Sequence, residues 1–263
     1  MTRTRRTSWL KAVALVAALA SVTINFGLID LVDGFTGYVD QARNQVLDVG
    51  WGATFGVILP IGLLSQLHRP ERRIAGIQQT ALVASALALA ALAGQSERYL
   101  VLAAAIAVIA AILLALHPAR QTFLRRGQQA DSVMLALAAV AAGPVLAYVR
   151  RMASAQRRDL PPADAVTNGL HHWTVMAALA LLVLLLMLLA AARTSGWRIP
   201  AVSTALAAGS WALSCLLGPA SAAGSEGHAW AWAALAWALV VLTTTAWPRP
   251  HDQPIPAQIR VSP

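Results

Sequence analysis

Four side chains of this sequence, Asp30, Asp33, His172 and His228, are the types that a zinc or manganese ion accepts. Carboxylate oxygens and imidazole nitrogens are common protein ligands of such metals. Asp30 and Asp33, three apart, share a face if the chain there is helical. Asp40 and Asp48 come before the next apolar run, Asn168 and His171 precede His172, and Glu226 precedes His228. His171 and His172 point about 100° apart on a helix, so at most one of the two faces a bundle interior. These positions are also where a membrane protein keeps ordinary polar residues, in headgroup territory. That plainer reading carries more weight than the metal site. Two haems on His68, His117, His172 and His228 are a further reading, since His is a usual axial ligand. It suffers because these residues sit at helix ends beside Pro or Arg.

A second set of candidates bears on ligand passage and helix hinging. Asn25 is the most notable polar residue within an apolar run. Pro60, and Pro144 after Gly143, are expected to break backbone hydrogen bonds and bend their helices. Interrupted helices mark binding sites in many transporters, although bundles also tolerate Pro where neighbours satisfy the freed groups.

The elements that must carry these residues are long apolar runs. Of 263 residues, 58% are hydrophobic and 12% charged. That is about half the charge of a soluble domain, too little to keep such a chain in water. A helix of about 20 residues crosses the hydrocarbon core, and eight runs qualify, at 9–29, 47–67, 74–93, 99–117, 132–149, 173–192, 199–218 and 228–247. The expected fold is therefore an all-α polytopic transmembrane helix bundle, with residues 1–247 as one domain. The Pro-rich stretch 248–263 reads as a disordered cytoplasmic tail. Asp131 stands where an N-cap is wanted for the fifth helix, and Pro200 suits the first turn of the seventh.

Orientation follows from the basic residues. With the N-terminus inside, 14 of the 20 Lys and Arg fall in cytoplasmic segments, while eight of the eleven acids fall outside. The positive-inside rule therefore places both termini in the cytoplasm. The formal charge of +9 belongs to these flanks and gives no nucleic-acid surface. The expected location is the plasma membrane, in a bacterium the inner membrane. Arg150, Arg151, Arg157 and Arg158 fall on the outer side against the rule. They read as a basic amphipathic continuation of the fifth helix on the outer leaflet. The triplet Ala18-Leu19-Ala20 resembles a signal-peptide cleavage site. Apolarity runs on through Ile29, so the first helix reads as retained; cleavage would leave seven.

There is a faint internal echo. Leu67-His68-Arg69-Pro70 precedes Gln78-Gln79, and Leu116-His117-Pro118 precedes Gln128-Gln129. Gly52 and Gly56 form a small-xxx-small pair, and Ala-rich helices add further close-packing faces, suited to neighbours in the bundle or to oligomer partners. The lone Cys215 excludes an intramolecular disulfide or a Cys-based zinc site and reads as a small packing residue.

No HExxH, GxSxG or Gly-rich phosphate loop is present, and no Asp, Glu, Lys or Arg falls in the central turns of these runs. The sequence thus favours a non-enzymatic role, as a small permease-like or accessory membrane subunit handling a neutral or lipidic ligand or a partner helix. No cofactor is expected. The alternatives are a membrane enzyme with the outer-face metal site, and a purely structural or assembly role.

Overall fold

The computed structural model describes residues 3–23, 27–36, 44–124, 130–158 and 170–247. Within them the chain is helical: α1 Arg3–Thr23, α2 Gly27–Thr36, α3 Gln45–Leu67, α4 Ile74–Gly94, α5 Glu97–Leu116, α6 Ser132–Arg158, α7 His172–Ala191, α8 Arg198–Leu217 and α9 His228–Ala246. Seven of these, α3 to α9, are long and apolar enough to cross a membrane, and α1 with α2 qualifies as a bent pair inclined at 41°.

Local chemistry sets several of the ends. Asp131 Oδ1 accepts from the backbone N–H of Val133 and of Met134, each at 3.1 Å, which caps α6. The α4–α5 turn is a Schellman closure. Ser96 N–H reaches Ala91 O, Gln95 N–H reaches Leu92 O, and Gln95 takes the left-handed conformation. The glycine one residue earlier does not serve the turn. A Cβ on Gly94 would meet Thr174 Oγ1 at 3.1 Å and Gln156 Cγ at 3.2 Å, so its small size serves packing against α6 and α7.

The helices form an inner group and a rim. In α3, 78% of the most apolar stretch is buried, against 17% in α6. α4 and α7 join α3 at the centre, around Phe55, Leu87, Met176 and Leu186. The rim helices α5, α6 and α9 turn Val101, Val108, Val140 and Leu239 outward, although these residues are as apolar as the core. Cys215 is fully buried. The connections gather at the two ends of the bundle. One end carries Asp48, Ser96 and His172; the opposite end carries Arg73, His117 and Asp131.

The run expected at 9–29 is not one straight helix. α1 ends at Thr23, α2 starts at Gly27, and Asn25 lies outside the described residues. α1 nevertheless belongs to the bundle. Leu10, Ala14 and Ala18, four apart on one face, are buried against it. α2 lies backbone to backbone against α3. A Cβ on Gly27 would stand 2.7 Å from Gly56 N, and one on Gly52 would stand 2.4 Å from Leu31 N. The Gly52/Gly56 face is thus occupied within the chain.

Opposite α2, α3 widens into a π-helix from Gly52 to Ile58, and Pro60 leaves one of its carbonyls without a helical partner. Leu59 N–H bonds back five residues to Thr54 O. In that register Phe55 O needs the N–H of residue 60, and proline has none. The hydroxyl of Ser21 on α1 donates to Phe55 O instead, at 2.6 Å. A second carbonyl of the wide turn, Ile58 O, accepts from Gln79 Nε2 of α4 at 2.6 Å.

Pro144 sits in a different setting. α6 runs unbroken through it for 27 residues, with Gly143 and Pro144 both on the outward-facing rim. The segment holding Arg150 to Arg158 is helical, as a continuation of the fifth helix requires. It packs against the bundle through Met152, Ala153 and Gln156. The loops of the internal echo meet at the opposite end, where His117 Nε2 lies 2.9 Å from Pro70 O.

Candidate functional site

The most notable cluster of polar groups lies where α2, α3, α5 and α7 end together. The first turn of α3 places Asp48, and the first turn of α7 places His172. His172 Nδ1 stands 3.0 Å from Asp48 Oδ1, and both residues are buried. A buried imidazole and carboxylate satisfy each other here, since either one alone would face an apolar surround without a partner.

Trp51, one turn after Asp48 on the same helix, covers the pair. Its ring lies 5.5 Å from the His172 ring at 31°, and Tyr99 of α5 meets its edge at 5.8 Å and 63°. The Tyr99 hydroxyl donates to Leu170 O. His171, with φ +57°, turns away from its neighbour, and its Nδ1 lies 2.7 Å from Ser96 Oγ. The two histidines diverge because His171 lies outside the helix in the left-handed conformation, which sends one into the bundle and the other onto the α4–α5 turn. Asp30, half-buried on α2, is within electrostatic reach of His172, Asp48 and Asp33.

The structure therefore gathers part of the set singled out in the sequence. Asp30 lies within electrostatic range of His172 without a hydrogen bond to it, and Asp33 stands one turn further along α2. His228 is exposed at the start of α9. Glu226 pairs with Arg151 at 2.7 Å, away from the His172 side chain. Asp40 and Asn168 lie outside the described residues. Among the described residues, no three His, Cys, Asp or Glu side chains lie close enough to hold one metal ion. The four-residue metal set of Asp30, Asp33, His172 and His228 is thus not assembled; Asp48 takes the place at His172 that the set assigned to other groups. The histidines of the haem reading are also apart in kind. His68 and His228 are exposed, and both ring nitrogens of His117 are engaged, Nε2 by Pro70 O and Nδ1 by the Ala119 N–H.

Below the pair, toward the bundle centre, lies the α2–α3 contact through Gly27, Gly52 and Gly56. Ser214 of α8 donates to Gly34 O at 2.8 Å, which ties the end of α2 down. Pro60 takes part through the wide turn that it imposes on α3, whereas Pro144 lies outside the cluster on the rim. Sequence reading missed Trp51, Ser21 and Gln79. Trp51 had a usable signal, because it stands three residues after Asp48 and shares its face. Ser21 and Gln79 had none, since each answers a carbonyl on another helix.

The arrangement holds a buried charge-capable pair under an aromatic lid, beside a helix break and a π-helical turn. It does not present a nucleophile with its base and oxyanion donors. Compared with known proteins, the chain matches no protein-family model, no curated protein and no solved structure.

Proposed function

We propose that this chain is a multi-pass membrane protein of eight spans, with α1 and α2 together forming the first and both termini in the cytoplasm. Its activity is that of a small permease-like conduit for a neutral or lipidic ligand. The membrane part of the reading rests on the seven long apolar helices and on the outward-facing Val and Leu of the rim. The orientation rests on the Arg distribution. The burial of Leu10, Ala14, Ala18 and Ser21 supports a first helix that stays with the protein.

One observation carries the permease reading. The first span is interrupted between α1 and α2 beside the π-helical segment of α3: α2 meets that segment without side chains between the backbones, α1 reaches it through Ser21, and the Asp48–His172 pair lies toward the start of α3. Broken helices and π-helical turns recur where membrane proteins bind and move ligands. Few deep charges suit a neutral or lipidic passenger better than an ion.

Water access tests it. Leu31→Cys, in a Cys215→Ala background, puts a thiol against Gly52. A conduit that opens alternately should let a membrane-impermeant thiol reagent reach this position from each face, in right-side-out and in inverted vesicles. Labelling from neither face, or from one face only, would favour a static scaffold. Tags at the N-terminus and within 159–169 should report inside and outside, respectively.

A further inference from the structure

At the end opposite the Asp48–His172 pair, a groove of about 610 Å³ opens between α3 and α8. Its walls are Ile61, Ile199 and Val202, and its rim carries Arg72, Arg73 and Arg198 beside Trp197. The sequence builds it from two loops held together. Ala75 N–H donates to Ser195 O at 3.1 Å, joining the first turn of α4 to the loop before α8. Gly196, at φ +88°, lets the second loop turn tightly, and a Cβ there would meet Arg73 Cα at 3.0 Å. Two guanidinium groups lie over the Trp197 ring, Arg193 at 4.2 Å and Arg198 at 5.5 Å from its centroid. Arg193 is itself held by Asp131, at 2.7 Å. Among the described residues that line the groove, none is acidic.

We infer that this groove binds the headgroup of an anionic phospholipid, with the acyl chains lying along Ile61 and Val202. The inference rests on the membrane reading above. Charge complementarity argues for it. Three arginines ring an opening whose described lining residues include no carboxylate, at the depth where apolar helices give way to basic loops. Basic pockets between helices on the cytoplasmic side are where acidic headgroups bind. Arg presents a planar fork of donors that matches a phosphate. The apolar walls separate a lipid from a free anion, since inorganic phosphate would leave Ile61, Ile199 and Val202 facing water.

The full chain, reconstituted into nanodiscs of phosphatidylglycerol and phosphatidylcholine in equal parts, is released into a mass spectrometer and its retained lipid counted. Phosphatidylglycerol should be retained over phosphatidylcholine. The R72Q/R73Q/R198Q variant should lose that retention by roughly 10- to 100-fold, from a screened attraction for each of three Arg. A charge-matched control, R5Q/R6Q/R120Q, should keep it. Equal loss in both variants, no preference for phosphatidylglycerol, or displacement of the lipid by soluble glycerol phosphate would each overturn the proposal. The membrane reading fails separately, by a different result: a chain that stays monodisperse in buffer without detergent.

Discussion

His172 Nδ1 and Asp48 Oδ1 lie 3.0 Å apart across 124 residues of sequence, both side chains buried where α3 and α7 begin. The pair couples two inner helices, about two turns of α3 from the level where the first span is interrupted. Removing either partner leaves a buried polar group alone, which costs about 3–5 kcal/mol when the orphan is charged. Asp48→Ala and His172→Ala should each destabilise the detergent-purified protein to that extent. An Asp48→Ala, His172→Ala double change should cost less than the sum. A thermodynamic cycle from thermal melts checks this, and additive costs would mean that the two side chains are not coupled.

Ser21 and Pro60 should be coupled although they do not touch. Ser21→Ala orphans Phe55 O and should cost about 1–3 kcal/mol. Pro60→Ala restores an N–H that reaches the same carbonyl. In that background the further loss of the Ser21 hydroxyl should cost no more than about 0.5 kcal/mol, the level of a surface change. Melting of the four proteins of the cycle gives the answer, and an unchanged Ser21 cost would remove Pro60 from the explanation.

Two glycines give opposite expectations. Gly56→Ala sets a Cβ 2.7 Å from Gly27 O, backbone that cannot rotate aside, and should cost about 1–3 kcal/mol by forcing α2 off α3. Gly143→Ala meets nothing within 4 Å and should stabilise α6 by about 0.5–1 kcal/mol through helix propensity. Thermal stability of the two variants should therefore move in opposite directions.

Acid should weaken the end that carries His117. Burial pulls its imidazole below the ordinary 6.5, with the hydrogen bond to Pro70 O and the charge of Glu71 working the other way. The unfolded chain takes up the proton near 6.5 and the folded chain only at lower pH. The stability contribution is therefore complete above the unfolded value and is lost as pH falls through the depressed folded one. Thermal melts from about pH 7.5 to about pH 5 should fall more for the native protein than for His117→Gln, whose amide can still donate to Pro70 O. Parallel curves would show that His117 does not titrate in this range.

What the sequence made legible was whatever depends on single runs of residues. Apolar length located the helices, and Asp131 announced its cap because a cap is built from neighbours. His171 and His172 do diverge, but through the left-handed backbone of His171 before α7 rather than through the helical spacing expected from the sequence. The Asp48–His172 contact was out of reach for the opposite reason, since nothing local says which helix end a carboxylate will meet. Pro60 and Pro144 look alike in sequence. One faces the centre, where a wide turn and the donors Ser21 and Gln79 answer it, and the other faces outward from an unbroken helix. Rotation about the helix axis separates the two cases, and packing sets it. Asp30 and His228 differ likewise: both end apolar runs, yet α2 folds over α3 while α9 stays on the rim.

The bond from Ser21 to Phe55 carries an implication for biogenesis. The two residues are 34 apart, with the donor upstream. During synthesis α1 leaves the ribosome first, and the wide turn of α3 emerges later with a carbonyl that its own helix cannot close. A helix already in place supplies the missing proton donor, so the order of translation matches the order in which the parts require one another. A chain trimmed between Ala20 and Ser21 would keep the serine but lose the helix that aims it.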